Sequence, residues 1–216
     1  MSTRVLLVRH GDTVASQDGR FTGATDIPLS KEGLIHGAEL AVRLARYPLD
    51  AIYASSMQRA FETAGFTARV HGMEVTPVPE LREMNHGVWD GKDRDEILQQ
   101  FGQAQIDEYD RDPFHFCPEN GESGEDVLKR AAPALSQLVK KHDGQTILVV
   151  AHKTTNRLLI CKFIGLDPQQ YRDKLAQRPA CLNVLLFPNE NEAQLLLLND
   201  IGHYATSDSS QYEYVV

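Results

Sequence analysis

The stretch VLLVRHG, residues 5–11, decides the fold, because four apolar residues are followed at once by charged and small ones. A short apolar run of this kind is typical of a strand buried on both faces of a parallel sheet. A second such run, Ile147–Ala151, ends directly before His152. The carboxyl ends of parallel strands meet at one edge of a sheet, so Arg9, His10 and His152 are predicted to lie close together.

Apolar patterns along the rest of the chain predict strands that alternate with helices. The predicted strands are 5–8, 49–54, 75–78, 147–151 and a closing pair at 182–187 and 194–198. Helices are predicted after the capping residues Ser30 and Ser123, after Ser55-Ser56, and over Thr154–Ile164. The buried face of the first helix is predicted to carry Leu34, Ile35, Ala38, Ala41, Val42 and Ala45. The alternation predicts an α/β fold with a mainly parallel sheet.

Length and composition favour one globular domain over residues 1–216, with a charge-rich lid or insertion at about 85–120. The chain has 22 Lys and Arg against 30 Asp and Glu, a formal net charge of −8. This acidic balance argues against nucleic-acid and anionic-membrane partners, which need a basic face. The chain has neither an apolar run of the roughly 18 residues that a membrane span needs nor a secretory signal. We therefore expect a cytoplasmic protein.

Two arginines and two histidines are predicted at the same edge of the sheet. Arg9 and His10 follow the first strand, Arg59 lies shortly after the second, and His152 follows the strand 147–151. Guanidinium groups are forked, permanently charged donors that match phosphoryl oxygens. Their charge disfavours protonation of a nearby imidazole, which leaves that imidazole nucleophilic. The set predicts phosphoryl transfer to a histidine, with the arginines stabilising charge that magnesium often stabilises elsewhere.

The predicted chemistry also needs an acid that protonates the departing alkoxide. Glu80 and Glu83 both follow the predicted strand 75–78, and the residues alone leave both open. A carboxyl that is buried or that faces a bound phosphate can stay protonated near neutral pH. Either glutamate is therefore a candidate proton donor.

Five groups of segments, in this order, resemble the motifs of the histidine phosphatase superfamily, which includes the cofactor-dependent phosphoglycerate mutases. They are LLVRHGDT (6–13), FTG (21–23) with DIPLSKEG (26–33), SSMQRA (55–60) with ETA (62–64), LREM (81–84) with GVWDG (87–91), and NGES (120–123) with VVAH (149–152). The resemblance covers most of the chain. It implies a three-layer α/β/α sandwich with a mostly parallel central sheet and helices on both faces.

The resemblance also implies catalytic roles. His10 is expected to be the phosphorylated nucleophile and Glu83, in the position that matches the family motif, the proton donor. Arg9, Arg59 and His152 are expected to hold the phosphoryl group. We expect no metal and no cofactor in this chemistry.

Four further residues are candidate substrate contacts. Thr22 and Gly23 match a motif whose residues line the substrate side of the pocket in the family. Ser16 stands where many relatives have asparagine, and Lys153 stands where many have glycine. The ammonium group of Lys153 is a candidate for binding an acidic substrate.

The function favoured by the resemblance is a metal-independent phosphomonoesterase acting on a small phosphorylated metabolite. About 40 residues separate Glu83 from the NGES segment, where the mutase branch usually carries a longer insertion. The alternatives are a phosphoglycerate mutase and a non-catalytic phospho-ligand binding or regulatory module. Sugar phosphates, phosphoserine, phosphoglycerates and a riboside phosphate all stay open as substrates. Small relatives often form homodimers, so a homodimer is a further expectation.

Overall fold

The computed structural model describes residues 1–15 and 19–204, and within them six strands form one sheet in the order β3-β2-β4-β1-β5-β6. The strands are β1 (Thr3–Arg9), β2 (Ala51–Ala54), β3 (Val75–Pro77), β4 (Thr146–Ala151), β5 (Leu182–Asn189) and β6 (Glu192–Asp200). The first four are mutually parallel, while β5 runs antiparallel to β1 and β6 antiparallel to β5. The predicted mainly parallel sheet with a closing pair is confirmed.

Helices cover both faces of this sheet. They are α1 (Lys31–Leu44), α2 (Gln58–His71), α3 (Arg94–Phe101), α4 (Gln103–Arg111), α5 (Gly124–Lys141), α6 (Lys153–Ile164) and α7 (Tyr171–Lys174). One apolar core lies between the sheet and α1 and α2, and the other lies between the sheet and α5 and α6. The expected three-layer α/β/α sandwich is confirmed. Over the described residues, no helix combines the length and apolarity that crossing a bilayer would require.

Strand β1 shows why the central strands are continuous apolar runs. Val5 and Leu7 point into the core below α5 and α6, whereas Leu6 and Val8 point into the core below α1 and α2. All four side chains are fully buried. Because successive side chains of a strand point to opposite faces, a strand covered on both sides needs apolar residues at every position.

Two details of the helices differ from the predictions. Helix α2 begins at Gln58 after Met57, and not at Ser55-Ser56, because the Ser55 hydroxyl lies within hydrogen-bond distance of His152 instead of capping the helix. In α1 the predicted apolar face was wrong except at Ala41, since Ile35 and Val42 are 57% and 74% exposed. The face that is buried consists of Gly33, Gly37, Leu40, Ala41 and Leu44.

Close backbone approach explains the orientation of α1. A Cβ on Gly37 would lie 2.8 Å from the Phe66 ring of α2, and one on Gly33 would lie 2.1 Å from the carbonyl oxygen of Asp12. The helix therefore turns its glycines inward, where they let it touch α2 and the loop after β1. This packing outweighs the burial that Ile35 and Val42 would gain, and it fixes the loop that carries His10.

Gly33 and Gly65, in α1 and α2, form a matched pair for testing this packing. The nearest atom to a Cβ on Gly65 would be Nη1 of the flexible Arg69 side chain, at 3.6 Å. Gly65→Ala is expected to raise the free energy of unfolding by about 0.5–1 kcal/mol, because alanine favours a helix. Gly33→Ala is expected to lower it by about 1–3 kcal/mol through overpacking against the Asp12 backbone. Denaturant unfolding measures both, and equal values would contradict the close approach.

Candidate active site

Three segments that follow parallel strands meet at one edge of the sheet. Arg9 is in register with Ala151, and the backbone N–H of His10 donates to the Ala151 carbonyl at 2.9 Å. The rings of His10 and His152 consequently lie with their centroids 5.1 Å apart. The convergence predicted from the sequence is therefore observed.

The His10 ring is held in one orientation. Its Nδ1 lies 2.7 Å from the carbonyl oxygen of Gly11, which can only accept, so Nδ1 carries the proton and donates. The other nitrogen, Nε2, is then unprotonated. Burial, followed by the positive charges of Arg9 and Arg59, holds the pKa of His10 well below its usual range. The imidazole is thus neutral at physiological pH and presents a lone pair on Nε2.

His152 is fully buried and offers a donor to the same place. Its Nε2 lies 2.8 Å from Oγ of Ser55, which also accepts from the Met57 N–H at 3.3 Å. The Ser55 hydroxyl can donate to Nε2 of His152, and the proton of the neutral His152 ring then sits on Nδ1. That Nδ1 is buried with no hydrogen-bond partner in the described structure. Burial lowers the pKa of His152 well below its usual range, and so do the repulsion that would arise if His10 and His152 were both protonated and the positive charges of Arg59 and Arg9.

Two guanidinium groups flank His10. Arg9 donates from Nη1 to the Gln177 carbonyl at 2.7 Å, and its buried Nε has no partner among the described residues. Arg59, in the first turn of α2, is 2% exposed and donates to the carbonyls of Thr25 and Gly23 at 3.0 and 3.1 Å. Both charges act on His10. The unpaired N–H groups of Arg9 and His152 lie beside a neutral histidine, and an anion such as a phosphoryl group could accept hydrogen bonds from them.

The structure places Glu83, and not Glu80, at this site. Glu83 is 7% exposed and lines the cavity beside His10, while Glu80 is exposed to solvent. The Glu83 carboxylate accepts backbone N–H groups from Thr154 at 3.0 Å and Thr155 at 3.3 Å, in the first turn of α6. These bonds fix the carboxyl at the end of the helix that follows His152.

Arg130 of α5 positions the segment that carries Glu83. Its guanidinium donates to the backbone carbonyls of Glu80, Arg82 and Glu83 at 2.6, 2.8 and 3.1 Å. It also pairs with Glu122 at 2.8 Å. Glu122 belongs to the NGES segment, so the structure explains that motif as the anchor of the Glu83 loop.

A cavity of about 460 Å³ opens in front of His10 and Glu83. Its outer wall is strongly cationic and contains Arg20, Arg94, Lys153, Arg157 and Arg172. Tyr109 and Tyr171 contribute aromatic surface to it. Helices α3 and α4 of the segment 85–120 thus form part of the wall. Among the described residues, no group of His, Cys, Asp and Glu side chains is arranged to hold a metal ion.

The four candidate substrate contacts are placed differently from one another. Thr22 and Lys153 line the cavity. Gly23 does not line it but is buried behind the wall, where its carbonyl accepts from Arg59 and its N–H donates to Asp90 at 2.6 Å. A Cβ on Gly23 would lie 1.9 Å from the Met84 carbonyl oxygen, which explains the glycine. Ser16 lies outside the described residues.

Sequence reasoning missed several residues of the cavity wall. His86, Tyr109, Arg157 and Arg172 line it but match no pattern that marks a site. For Arg157 a signal existed, because it follows Lys153 by four residues and lies on the same face of a helix.

Comparison with known proteins supplies the family. A family model described as "Histidine phosphatase superfamily (branch 1)" matches residues 5–201. The chain belongs to this superfamily.

Two relatives of this histidine phosphatase are named as phosphatases, and a solved structure has the same fold. "Phosphoserine phosphatase 1" of Hydrogenobacter thermophilus is 30% identical over 168 residues, which are 78% of this chain and 79% of the relative. "Adenosylcobalamin/alpha-ribazole phosphatase" of Escherichia coli is 30% identical over 166 residues, 77% of this chain and 81% of the relative. The solved structure of Bacillus stearothermophilus YhfR superposes with a TM-score of 0.86 at 28% identity, covering 93% of this chain and 98% of that one.

The predicted enzyme class, a histidine phosphatase, is confirmed by the family and the phosphatase names of these relatives. Several 2,3-bisphosphoglycerate-dependent phosphoglycerate mutases also match, at 27–30% identity. Both branches of the enzyme family are therefore similar to this chain.

The state of the His10 ring can be measured directly. We expect His10 to be neutral, with its proton on Nδ1, at pH 6.5, where an ordinary histidine is half protonated. Its pKa is lowered by burial, Arg9 and Arg59, so Arg59→Met should raise it toward the ordinary value. Arg69→Met, on an exposed part of the same helix, is the control and should not change it. Long-range ¹H–¹⁵N spectra of histidine rings report both quantities, and a proton on Nε2 of His10 would contradict the geometry.

Proposed function

We propose that this histidine phosphatase is a metal-independent phosphomonoesterase that hydrolyses a small phosphorylated metabolite through a phosphohistidine at His10. The observation that carries the proposal is the fixed His10 ring. Its Nδ1 is engaged with the Gly11 carbonyl, so the neutral ring turns its lone pair on Nε2 toward the anion-binding groups. Pure binding would need neither such a nucleophile nor a buried acid, which argues against a non-catalytic module.

In the first step Nε2 of His10 attacks phosphorus and the bond from phosphorus to the ester oxygen breaks. Arg9, Arg59 and the Nδ1–H of His152 stabilise the negative charge on the three phosphoryl oxygens. These donors are positively charged or buried, so they stabilise the transition state without first reorganising solvent. The imidazole becomes a phosphohistidine, with its Nδ1–H still bonded to Gly11.

Glu83 donates the proton that the departing alkoxide needs and accepts the proton that the attacking water loses. A phosphate monoester brings negative charge next to this carboxyl, and like charge favours its protonated form. Glu83 then donates its proton to the departing alkoxide, and the alcohol leaves. In the second step the Glu83 carboxylate takes a proton from water, which attacks the phosphohistidine and releases inorganic phosphate. His10 and protonated Glu83 are restored, so the cycle balances.

Substrate contacts are part of the proposal. A cavity of about 460 Å³ suits a small metabolite. Thr22 and Lys153 are proposed to contact the substrate from the cavity wall, and Gly23 to act through the carbonyl that holds Arg59. Ser16 stays a proposed phosphate contact from the sequence pattern.

A phosphoglycerate mutase is the second candidate, favoured by the mutases among the relatives. The two reactions share the phosphohistidine and differ in its fate, because a mutase returns the phosphoryl group to a bound hydroxyl. We favour hydrolysis, because the first two curated relatives are phosphatases and the segment 85–120 is short. Phosphate release compared with 2-/3-phosphoglycerate interconversion separates the two, and interconversion that far exceeds release would reverse the choice.

The proposal also covers the domain organisation of the chain, its partners and its compartment. We propose a single domain over residues 1–216 in which 85–120 acts as a lid, since α3 and α4 supply Arg94 and Tyr109 to the cavity wall. The acidic net charge of −8 supports a protein without nucleic-acid or membrane partners. We further propose that it works in the cytoplasm as a homodimer.

Glu83 and Glu80 provide a matched test of the acid. Glu83→Gln is expected to lower kcat/KM for an alkyl phosphate, which reports formation of the phosphohistidine, by about 10²–10⁴-fold, because the alkoxide then leaves unprotonated. The loss should be much smaller for p-nitrophenyl phosphate, whose leaving group needs no proton. Glu80→Gln should retain wild-type rates with both esters, since its carboxyl is exposed to solvent. Steady-state assays in excess EDTA measure these rates, and equal losses with both esters, or a need for added magnesium, would contradict the mechanism.

A further inference from the structure

Lys153 and Arg157 present two positive charges on one side of the cavity. They lie four residues apart on α6, and both side chains line the cavity wall. In a helix, residues with this spacing are neighbours on one face. The pair is separate from the phosphoryl-binding groups along the helix, because Arg157 lies about 7.5 Å further along the axis than His152 at 1.5 Å per residue.

The pair lacks the carboxylate partners that the other outer cations have. Arg94 is bonded to Asp110, Arg172 lies 3.5 Å from Asp110, and Arg20 pairs with Glu96 at 2.6 Å. Across residues 1–15 and 19–204, by contrast, no ion pair is formed by Lys153 or Arg157. The Nε of Arg157 is in addition buried with no hydrogen-bond partner there.

Keeping these charges together costs free energy in the unliganded protein. Desolvation, followed by the charges of Arg157 and Arg9, lowers the pKa of Lys153 to about 8. The carboxylate that acts on both cations is that of Glu83. Its oxygens accept backbone N–H groups from α6, and in the part of the chain that the structure describes it forms no ion pair with either cation. Lys153 is exposed and Arg157 is half-buried, and unpaired donors of like charge are stabilised by an anion that binds between them.

We propose that Lys153 and Arg157 form a second anion subsite, so that the preferred substrate is a phosphate monoester whose alcohol part carries a carboxylate. The inference rests on the proposed function, since it assigns the substrate class of the same cavity. The phosphoryl group is bound by Arg9, Arg59 and His152, and the carboxylate is bound beyond it by the α6 pair. Arg157 is then a specificity-determining residue.

A pair of esters that differ at the carboxylate tests the subsite. 3-Phosphoglycerate has a carboxylate where glycerol 3-phosphate has a hydroxymethyl group. The full chain is expected to release phosphate from 3-phosphoglycerate with a kcat/KM at least tenfold higher. In Arg157→Met the ratio of the two kcat/KM values should fall about 10–100-fold, the size of a lost charge-assisted bond. The change should appear mainly in KM for 3-phosphoglycerate.

Matched variants separate recognition from structural damage. Arg157→Lys keeps the charge and should retain most of the preference, and Lys153→Met should lower the preference as Arg157→Met does. Lys162→Met removes an exposed charge from the last turn of the same helix and should change neither ester. A preference for 3-phosphoglycerate that is lost in Arg157→Met and kept in Lys162→Met would establish the subsite.

Two results would overturn the inference while leaving the proposed function intact. One is a full chain that hydrolyses glycerol 3-phosphate as well as 3-phosphoglycerate. The other is an Arg157→Met variant that loses activity equally with both esters, which would place Arg157 on the phosphoryl group. Failure of the full chain to release phosphate from either ester and from p-nitrophenyl phosphate would instead refute the proposed function.

Discussion

The hydrogen bond from Nδ1 of His10 to the carbonyl oxygen of Gly11 is the constraint on which the active site depends. It uses the one proton of the neutral ring and leaves Nε2 unprotonated. The bond forms only because the loop after β1 is immobilised on two sides. On one side the His10 N–H pairs with Ala151 of β4, and on the other Gly11 touches the backbone of Gly33 in α1. The orientation of His10, the proposed nucleophile, is thus set by the sheet and by a glycine contact.

Electrostatics and burial act together on this ring. Burying two guanidinium groups without hydrogen-bond partners would cost free energy. Arg9 and Arg59 avoid part of this cost because they donate to the backbone carbonyls of Gln177, Thr25 and Gly23. The donors left unpaired are those that a phosphoryl group would satisfy. The same cations that bind an anion keep His10 neutral, so substrate binding and nucleophilicity have one physical origin. Arg130 has a parallel structural function, since it holds the loop of Glu83, the proposed acid, through three carbonyls.

The sequence predicts the parts of the fold that obey a strong rule. The runs 5–8 and 147–151 are strands because both faces of the sheet are covered, and a parallel order then brings His10 and His152 to one edge. The buried face of α1 could not be predicted, because it depends on glycines that touch the Asp12 backbone and the Phe66 ring, a contact with no hydrophobic signature. Apolar periodicity pointed to Ile35 and Val42 instead.

The candidate site also has residues that the sequence predicts and residues that only the folded structure reveals. Arg9, His10, Arg59 and His152 could be predicted because each follows a strand end within a motif. The residues alone leave Glu83 and Glu80 open, and the family resemblance selects Glu83; the choice depends on a short 3-10 turn at Pro79–Leu81, whose direction three residues of sequence do not reveal. Most residues of the outer cavity wall come from separate segments, so local spacing marks only the pair Lys153 and Arg157 on α6. Only the folded chain brings them together.

The central claim is that a neutral His10 forms a covalent bond to phosphorus during turnover. Rapid-quench experiments with a ³²P-labelled phosphomonoester test it most directly. The account predicts an acid-labile, base-stable adduct that maps to His10, forms together with the released alcohol and decays as inorganic phosphate appears. Release of the alcohol without any such adduct, or label on a different residue, would contradict it.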